Sequence, residues 1–222
     1  MHPNAGLEIL KDNLRSTYFR SPKGLLFAIV PPAGLALFFT APQGLYVWYN
    51  TAAWLLFATL VLSTANVLTG NRTVFERYPI AVHSFLYFPV MRAFLNFSIA
   101  YFVLAGLLWK AGFPPSYQEL AFGWLLALPL GSLGLGIGLV LSVAHYLYRW
   151  RISAPLALIS LLIFWEIHPL SSLIAFPSKA FLNDDLTEAR TYVLSAASSV
   201  LFLALSFRFF WIAKKGLFEK CL

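Results

Sequence analysis

Six apolar segments, at 24–40, 44–66, 86–109, 120–142, 153–167 and 191–213, fill most of this 222-residue chain. A membrane helix needs about 20 apolar residues, so this length has room for roughly six spans and short connections. No sizeable soluble domain fits beside them. Composition agrees: 59% of residues are hydrophobic and 11% charged, against about 25% charged in a soluble domain. The polar surface of a soluble fold this small could not cover so much apolar side chain. The sequence therefore predicts an all-α integral membrane protein, one transmembrane domain over 1–222, with any ATPase or kinase machinery in another chain.

The formal charge of +7 would suggest nucleic acid on a soluble face. In a membrane protein, lysine and arginine instead report which loops stay in the cytoplasm. With the N-terminus inside, Lys11, Arg15, Arg20, Lys23, Arg72, Arg77, Arg149, Arg151, Arg208, Lys214, Lys215 and Lys220 are cytoplasmic. Lys110, Lys179 and Arg190 are outside and Arg92 lies within a span, so 12 of 16 cations are inside. Both termini are then expected in the cytoplasm, and nucleic acid drops out as a partner. Trp48, Trp109, Trp124, Trp165 and Trp211 fall near segment ends, as an interfacial belt predicts. Cys221 permits no internal disulfide and is not four residues from the end, as a prenylation box requires.

Residues 1–23 are charged and carry no secretory signal. Leu7, Leu10, Leu14 and Tyr18 recur at helical spacing opposite Glu8, Lys11, Asp12 and Arg15, predicting an amphipathic helix along the cytoplasmic interface. A solubilising tail is the alternative. Ser21 and Pro22 suit a helix start, and Pro31-Pro32 predicts a kink inside the first span. The fifth segment is too short to cross upright. The chain after it, 166–183, is apolar but interrupted by Pro169 and Pro177, which predicts a re-entrant outer hairpin between spans five and six. Residues 214–222 read as a basic cytoplasmic tail.

Enzyme motifs are sparse. The sequence has no GxxxxGK[ST] loop, no HExxH and no paired-cysteine metal spacing. No metal or cofactor is expected in this chain. An intramembrane hydrolase would need an activated serine facing a histidine; Ser132 with His145 or His168 is the one set that can be assembled.

Three further features remain. Gly134 and Gly138 form a GxxxG pair within the stripe 131–138, suited to close helix packing inside the chain or between two copies. The loop Asn71-Arg-Thr-Val-Phe-Glu-Arg-Tyr-Pro79 is short and charged, and leads through His83 and Pro89 into the third span. Arg92, Glu166 and His168 lie within or beside apolar stretches, where an ionisable group lines a hydrated path, pairs, or snorkels to headgroups.

In this order and spacing, the leader helix, the 71–79 loop, the glycine stripe, Arg149 and Arg151, Pro169-Leu-Ser-Ser-Leu173 and the basic tail resemble a known family. They look like the membrane subunit of type-2 ABC exporters, most of all permeases for capsular polysaccharide, O-antigen or related glycans. The resemblance implies a homodimer in the bacterial inner membrane, driven by two copies of a separate ABC ATPase subunit that binds ATP and magnesium. It implies ATPase coupling through Asn71, Arg72, Phe75, Glu76, Arg77, Tyr78 and, on the leader, Leu10 and Leu14. An outer gate would involve Glu166, His168, Pro169 and Pro177, and periplasmic or outer-membrane export proteins are implied partners. Sugar-stacking candidates on the third span are Tyr87, Phe88, Phe94 and Tyr101, beside Arg92. A non-transporting membrane scaffold, or an enzyme acting on lipid-linked substrates, is the competing expectation.

Overall fold

The computed structural model describes residues 15, 23–37, 41–70, 83–110, 112, 115–148, 168–183 and 186–218. Among them the chain is wholly helical. In order these are α1 (Lys23–Ala36), α2 (Ala41–Ala65), α3 (Val67–Gly70), α4 (His83–Lys110), α5 (Tyr117–Leu125), α6 (Leu128–Tyr148), α7 (His168–Asn183) and α8 (Ala189–Phe218). Four stretches are long and apolar enough to cross a membrane: Gly44–Thr69, Leu86–Lys110, Tyr117–Tyr146 and Ala189–Ala213. Gly24–Ala36 and Ser172–Leu182 are shorter apolar helices. Of the six expected spans, the first is thus a short helix, and the fifth (153–167) lies outside the described residues.

α2 is the hub, packing against α1, α4, α6 and α7. Its span is 61% buried within the chain, whereas α8, held by α6 and α7, is 17% buried. Glycine sets the closest approach. A Cβ at Gly134 would lie 3.0 Å from the Phe57 carbonyl, and one at Gly138 3.0 Å from the Val61 carbonyl and 2.7 Å from Thr64 Cβ. The GxxxG pair is therefore occupied within the chain, letting α6 lie on the α2 backbone. Gly136, on another side of α6, meets Phe202 and Leu203 of α8.

These contacts fix direction. Numbers rise together along α2 and α6 (Phe57 at Gly134, Val61 at Gly138), and along α8 and the stretch from the turn at 126–127 into α6 (Leu126 at Tyr192, Gly136 at Leu203). α4 runs the opposite way, with Phe94 against Gly131 and Tyr101 against Gly123.

Several expectations change. The fourth segment, read as one span over 120–142, lies within a single candidate span, Tyr117–Tyr146, that a turn at 126–127 divides into two helices. α7 is one helix through Pro177, so residues 168–183 hold no hairpin turn; α1 contains Pro31 and Pro32, the expected kink site, without ending there. A proline removes one donor without ending a helix when neighbouring helices cover the freed carbonyl. The tryptophan belt is only partial. Trp48 and Trp124 turn inward, donating to the Ala100 carbonyl at 3.0 Å and to Ser98 Oγ at 2.9 Å, while Trp109 and Trp211 are exposed. Trp165 lies outside the described residues.

Candidate functional site

Pro129 sets the local chemistry of the broken span. It has no N–H to offer the carbonyl four residues back, and its ring crowds that carbonyl. The turn that results sends the Ala127 N–H to the Trp124 carbonyl at 3.2 Å, not to Gly123. Backbone acceptors are thereby released where Gly123, Leu126 and Ala127 are buried inside the bundle, and an unsatisfied group there is costly.

Tyrosines from other helices take them up. Tyr49 of α2 donates its hydroxyl to the Gly123 carbonyl at 2.7 Å. Tyr192 of α8 donates to the Leu126 carbonyl at 2.6 Å. One turn earlier, Tyr101 of α4 donates to the Leu120 carbonyl at 2.9 Å. Three helices thus hold α5 and the break through side-chain hydroxyls.

The rings pack as tightly as the hydroxyls bond. Tyr49 meets Phe97 and Tyr101 edge-on at 6.1 and 6.0 Å, and Tyr101 lies 5.1 Å from Phe181 of α7. Gly123 is required here, since a Cβ would fall 2.6 Å from both Phe181 Cδ2 and Tyr101 Oη. Phe176 of α7 stacks on Tyr192 at 4.7 Å, and Ser172 bonds Ser195 at 3.0 Å. From Ser172 to Ala180, only Ala175 and Lys179 of α7 are not buried. At the end of this contact Lys179 and Glu188 pair at 2.7 Å. α5 itself begins with a capping box, in which Ser116 Oγ accepts from the Glu119 N–H and Glu119 accepts from the Ser116 N–H.

The sugar-stacking candidates do not form one surface. Tyr101 is 1% exposed, with Phe97 stacked on it at 5.9 Å, so its ring faces are taken by protein. Phe94 packs against Trp124 at 6.0 Å and against Gly131, while Tyr87 is 57% exposed. Phe88 and Arg92, four residues apart, are half-buried together on another side of α4. Because α4 is packed by α1, α2 and α5, its aromatic residues serve several different contacts.

Ser132 and His145 share the unbroken helix α6. Their separation in sequence puts them about 20 Å apart along its axis at 1.5 Å per residue, too far for a catalytic pair. His168 and Pro169 begin α7, and Pro177 lies within it. Leu10, Leu14, Asn71, Arg72, Phe75, Glu76, Arg77, Tyr78 and Glu166 lie outside the described residues. Among the described residues no group of His, Cys, Asp or Glu is placed to hold a metal ion.

Sequence reasoning missed Tyr49, Tyr192 and Gly123. The signal was Pro129 in the middle of an apolar segment, which implies a break in the helix there and hence nearby carbonyls that need donors from facing helices. No family model, no curated protein and no solved structure matches the chain.

Proposed function

We propose that this chain is the membrane-spanning permease subunit of an ATP-driven exporter of a polysaccharide or lipid-linked glycan. It works as a homodimer in the bacterial inner membrane with a separate pair of ATPase subunits. The observation that carries this reading is α7, a helix of 16 residues enclosed by α2, α5, α6 and α8 beside the break in span four. Its length is about 24 Å at 1.5 Å per residue, short of the roughly 30 Å hydrocarbon core. Helices that stop or break inside a bundle are characteristic of transport proteins, where they gate a path near the bilayer midplane.

The reading also draws on the residues that resemble glycan permeases. The aromatic packing of Tyr49, Tyr101, Phe181, Phe176 and Tyr192 then acts as a seal in the resting state. ATP-driven closure of the partner subunits pushes on residues 71–79 and on the leader helix, re-packs spans one and five of each copy, and opens the seal. Six spans with an outer re-entrant element belong to this proposal, with 153–167 as the fifth span.

Copurification with an ATPase subunit and glycan-stimulated hydrolysis in liposomes test the assignment. Substituting Glu76, Arg77 and Tyr78 together is expected to leave ATP hydrolysis running while export stops. Unchanged export refutes the coupling role, and a chain that never associates with an ATPase refutes the exporter.

A further inference from the structure

α2 treats its polar side chains in two ways. Trp48, Tyr49 and Thr51 each donate to a backbone carbonyl. Tyr46, Asn50 and Trp54, one helical turn apart on a single side, do not: Tyr46 Oη, Asn50 Oδ1 and Trp54 Nε1 are shielded from solvent and have no hydrogen-bond partner. The same side continues to Phe57 and Val61, where the glycines of α6 close on it. Thr64 Oγ1, further along, is also shielded and unpaired. Buried polar atoms in folded proteins are nearly always bonded, so a row of exceptions on one helix side calls for an occupant.

We propose that Tyr46, Asn50 and Trp54 form the wall of a saccharide-binding track that is closed in this structure. The assignment rests on the exporter reading above and gives it a contact surface. The stripe presents a hydroxyl that gives and accepts, a carbonyl that accepts, and an N–H that gives, all on or beside aromatic rings. It carries no acid or base, so a charged ligand would enter without a counter-charge. An acyl chain would leave every polar atom unpaired. A neutral polyhydroxylated ligand supplies donors and acceptors together, and its C–H faces suit the rings.

The test uses the full chain with its ATPase in the host strain. In the triple variant Tyr46→Phe, Asn50→Leu, Trp54→Phe, surface glycan is expected to fall at least ten-fold at equal membrane levels. The purified variant in nanodiscs is expected to melt at or above the wild-type temperature, because unpaired polar atoms have been removed. Wild-type surface glycan, or a melting temperature lowered by several degrees, overturns the track. A deletion strain that keeps its surface glycan refutes the exporter reading separately. The track is then decided by labelling in a Cys221→Ser background with a charged, membrane-impermeant thiol reagent. Asn50→Cys is expected to react at least ten-fold faster than Leu201→Cys on the exposed side of α8. Equal rates overturn it; where the deletion strain loses its surface glycan, so does fast labelling combined with unchanged glycan in the triple variant, which would mean water alone.

Discussion

Removing the Tyr192 hydroxyl isolates the chemistry of the broken span. Phenylalanine at this position keeps the ring stacked on Phe176 at 4.7 Å and loses only the 2.6 Å bond to the Leu126 carbonyl. Both residues are buried, so the carbonyl gains no water in exchange. An unsatisfied buried acceptor costs about 1–3 kcal/mol in soluble proteins, whereas interhelical side-chain bonds in membranes average about 0.6 and reach about 1.7 kcal/mol. The short bond and the broken backbone place Tyr192→Phe near the upper membrane value. That corresponds to roughly a fifteen-fold shift in the folding equilibrium at 1.4 kcal/mol per factor of ten.

The decisive comparison is made in a Pro129→Ala background. Alanine restores an N–H to the Leu125 carbonyl and relieves the ring there; where α5 and α6 then join, the Ala127 and Leu130 N–H groups reach the Gly123 and Leu126 carbonyls that Tyr49 and Tyr192 now serve. In that background Tyr192→Phe is expected to lose most of its cost. Unfolding of the four chains of this double-mutant cycle, in mixed micelles titrated with denaturing detergent, measures the coupling. Equal costs in both backgrounds would show that the tyrosine does not compensate for the proline.

Glycine substitutions offer a second check. Gly138→Ala forces a Cβ to 2.7 Å from Thr64 Cβ, and overpacking of this kind costs about 1–3 kcal/mol by thermal melting. Gly106→Ala meets nothing within 4 Å and is expected to be neutral or to stabilise α4 by up to about 1 kcal/mol through helix propensity. Gly123→Ala should act more broadly than either, lowering the melting temperature and raising proteolysis near α5, since Phe181 and Tyr101 both stand at 2.6 Å. The Lys179–Glu188 pair is 40% and 44% exposed, so Lys179→Ala is expected to cost less than about 1 kcal/mol. A larger loss would mean that the pair is better shielded than its exposure indicates. Under the exporter proposal, Ser132→Ala and His145→Leu are expected to leave surface glycan unchanged; loss of it in Ser132→Ala would revive the enzyme reading.

Much of the architecture is legible from hydropathy because lipid permits few backbone solutions. A run such as 44–66 must be helical, and α2 spans it. The glycine stripe likewise announces close packing, but periodicity alone could not choose between a neighbour in the chain and a second copy; Phe57, Val61 and Thr64 supply the answer. What escaped notice depends on partners distant in sequence. Trp48 lies near a segment end, as an interfacial residue would, yet its N–H is spent on Ala100. Tyr101 resembles a ligand platform in one dimension, and only the positions of Phe97 and Phe181 show its faces to be occupied. Pro129 is the reverse case, a local mark whose meaning lies in Tyr49 and Tyr192 on two other helices, α2 and α8.

The shared direction of α2, α6 and α8 also has an electrical consequence. Helices that run the same way end on the same side, so the chain leaves α3, α6 and α8 toward one membrane face. In the sequence, Arg72 and Arg77 follow the first of these ends, Arg149 and Arg151 the second, and Lys214, Lys215 and Lys220 stand in or after the third. Each positive charge carried across 100 mV involves about 2.3 kcal/mol of work. With that face cytoplasmic, as the distribution of basic residues in the sequence predicts, turning the bundle over would oppose the membrane voltage at three separate places at once. Glycines that bring backbones together in the interior hold those three helix ends on one face, and in the proposed orientation that lets the membrane field act on all of them at once.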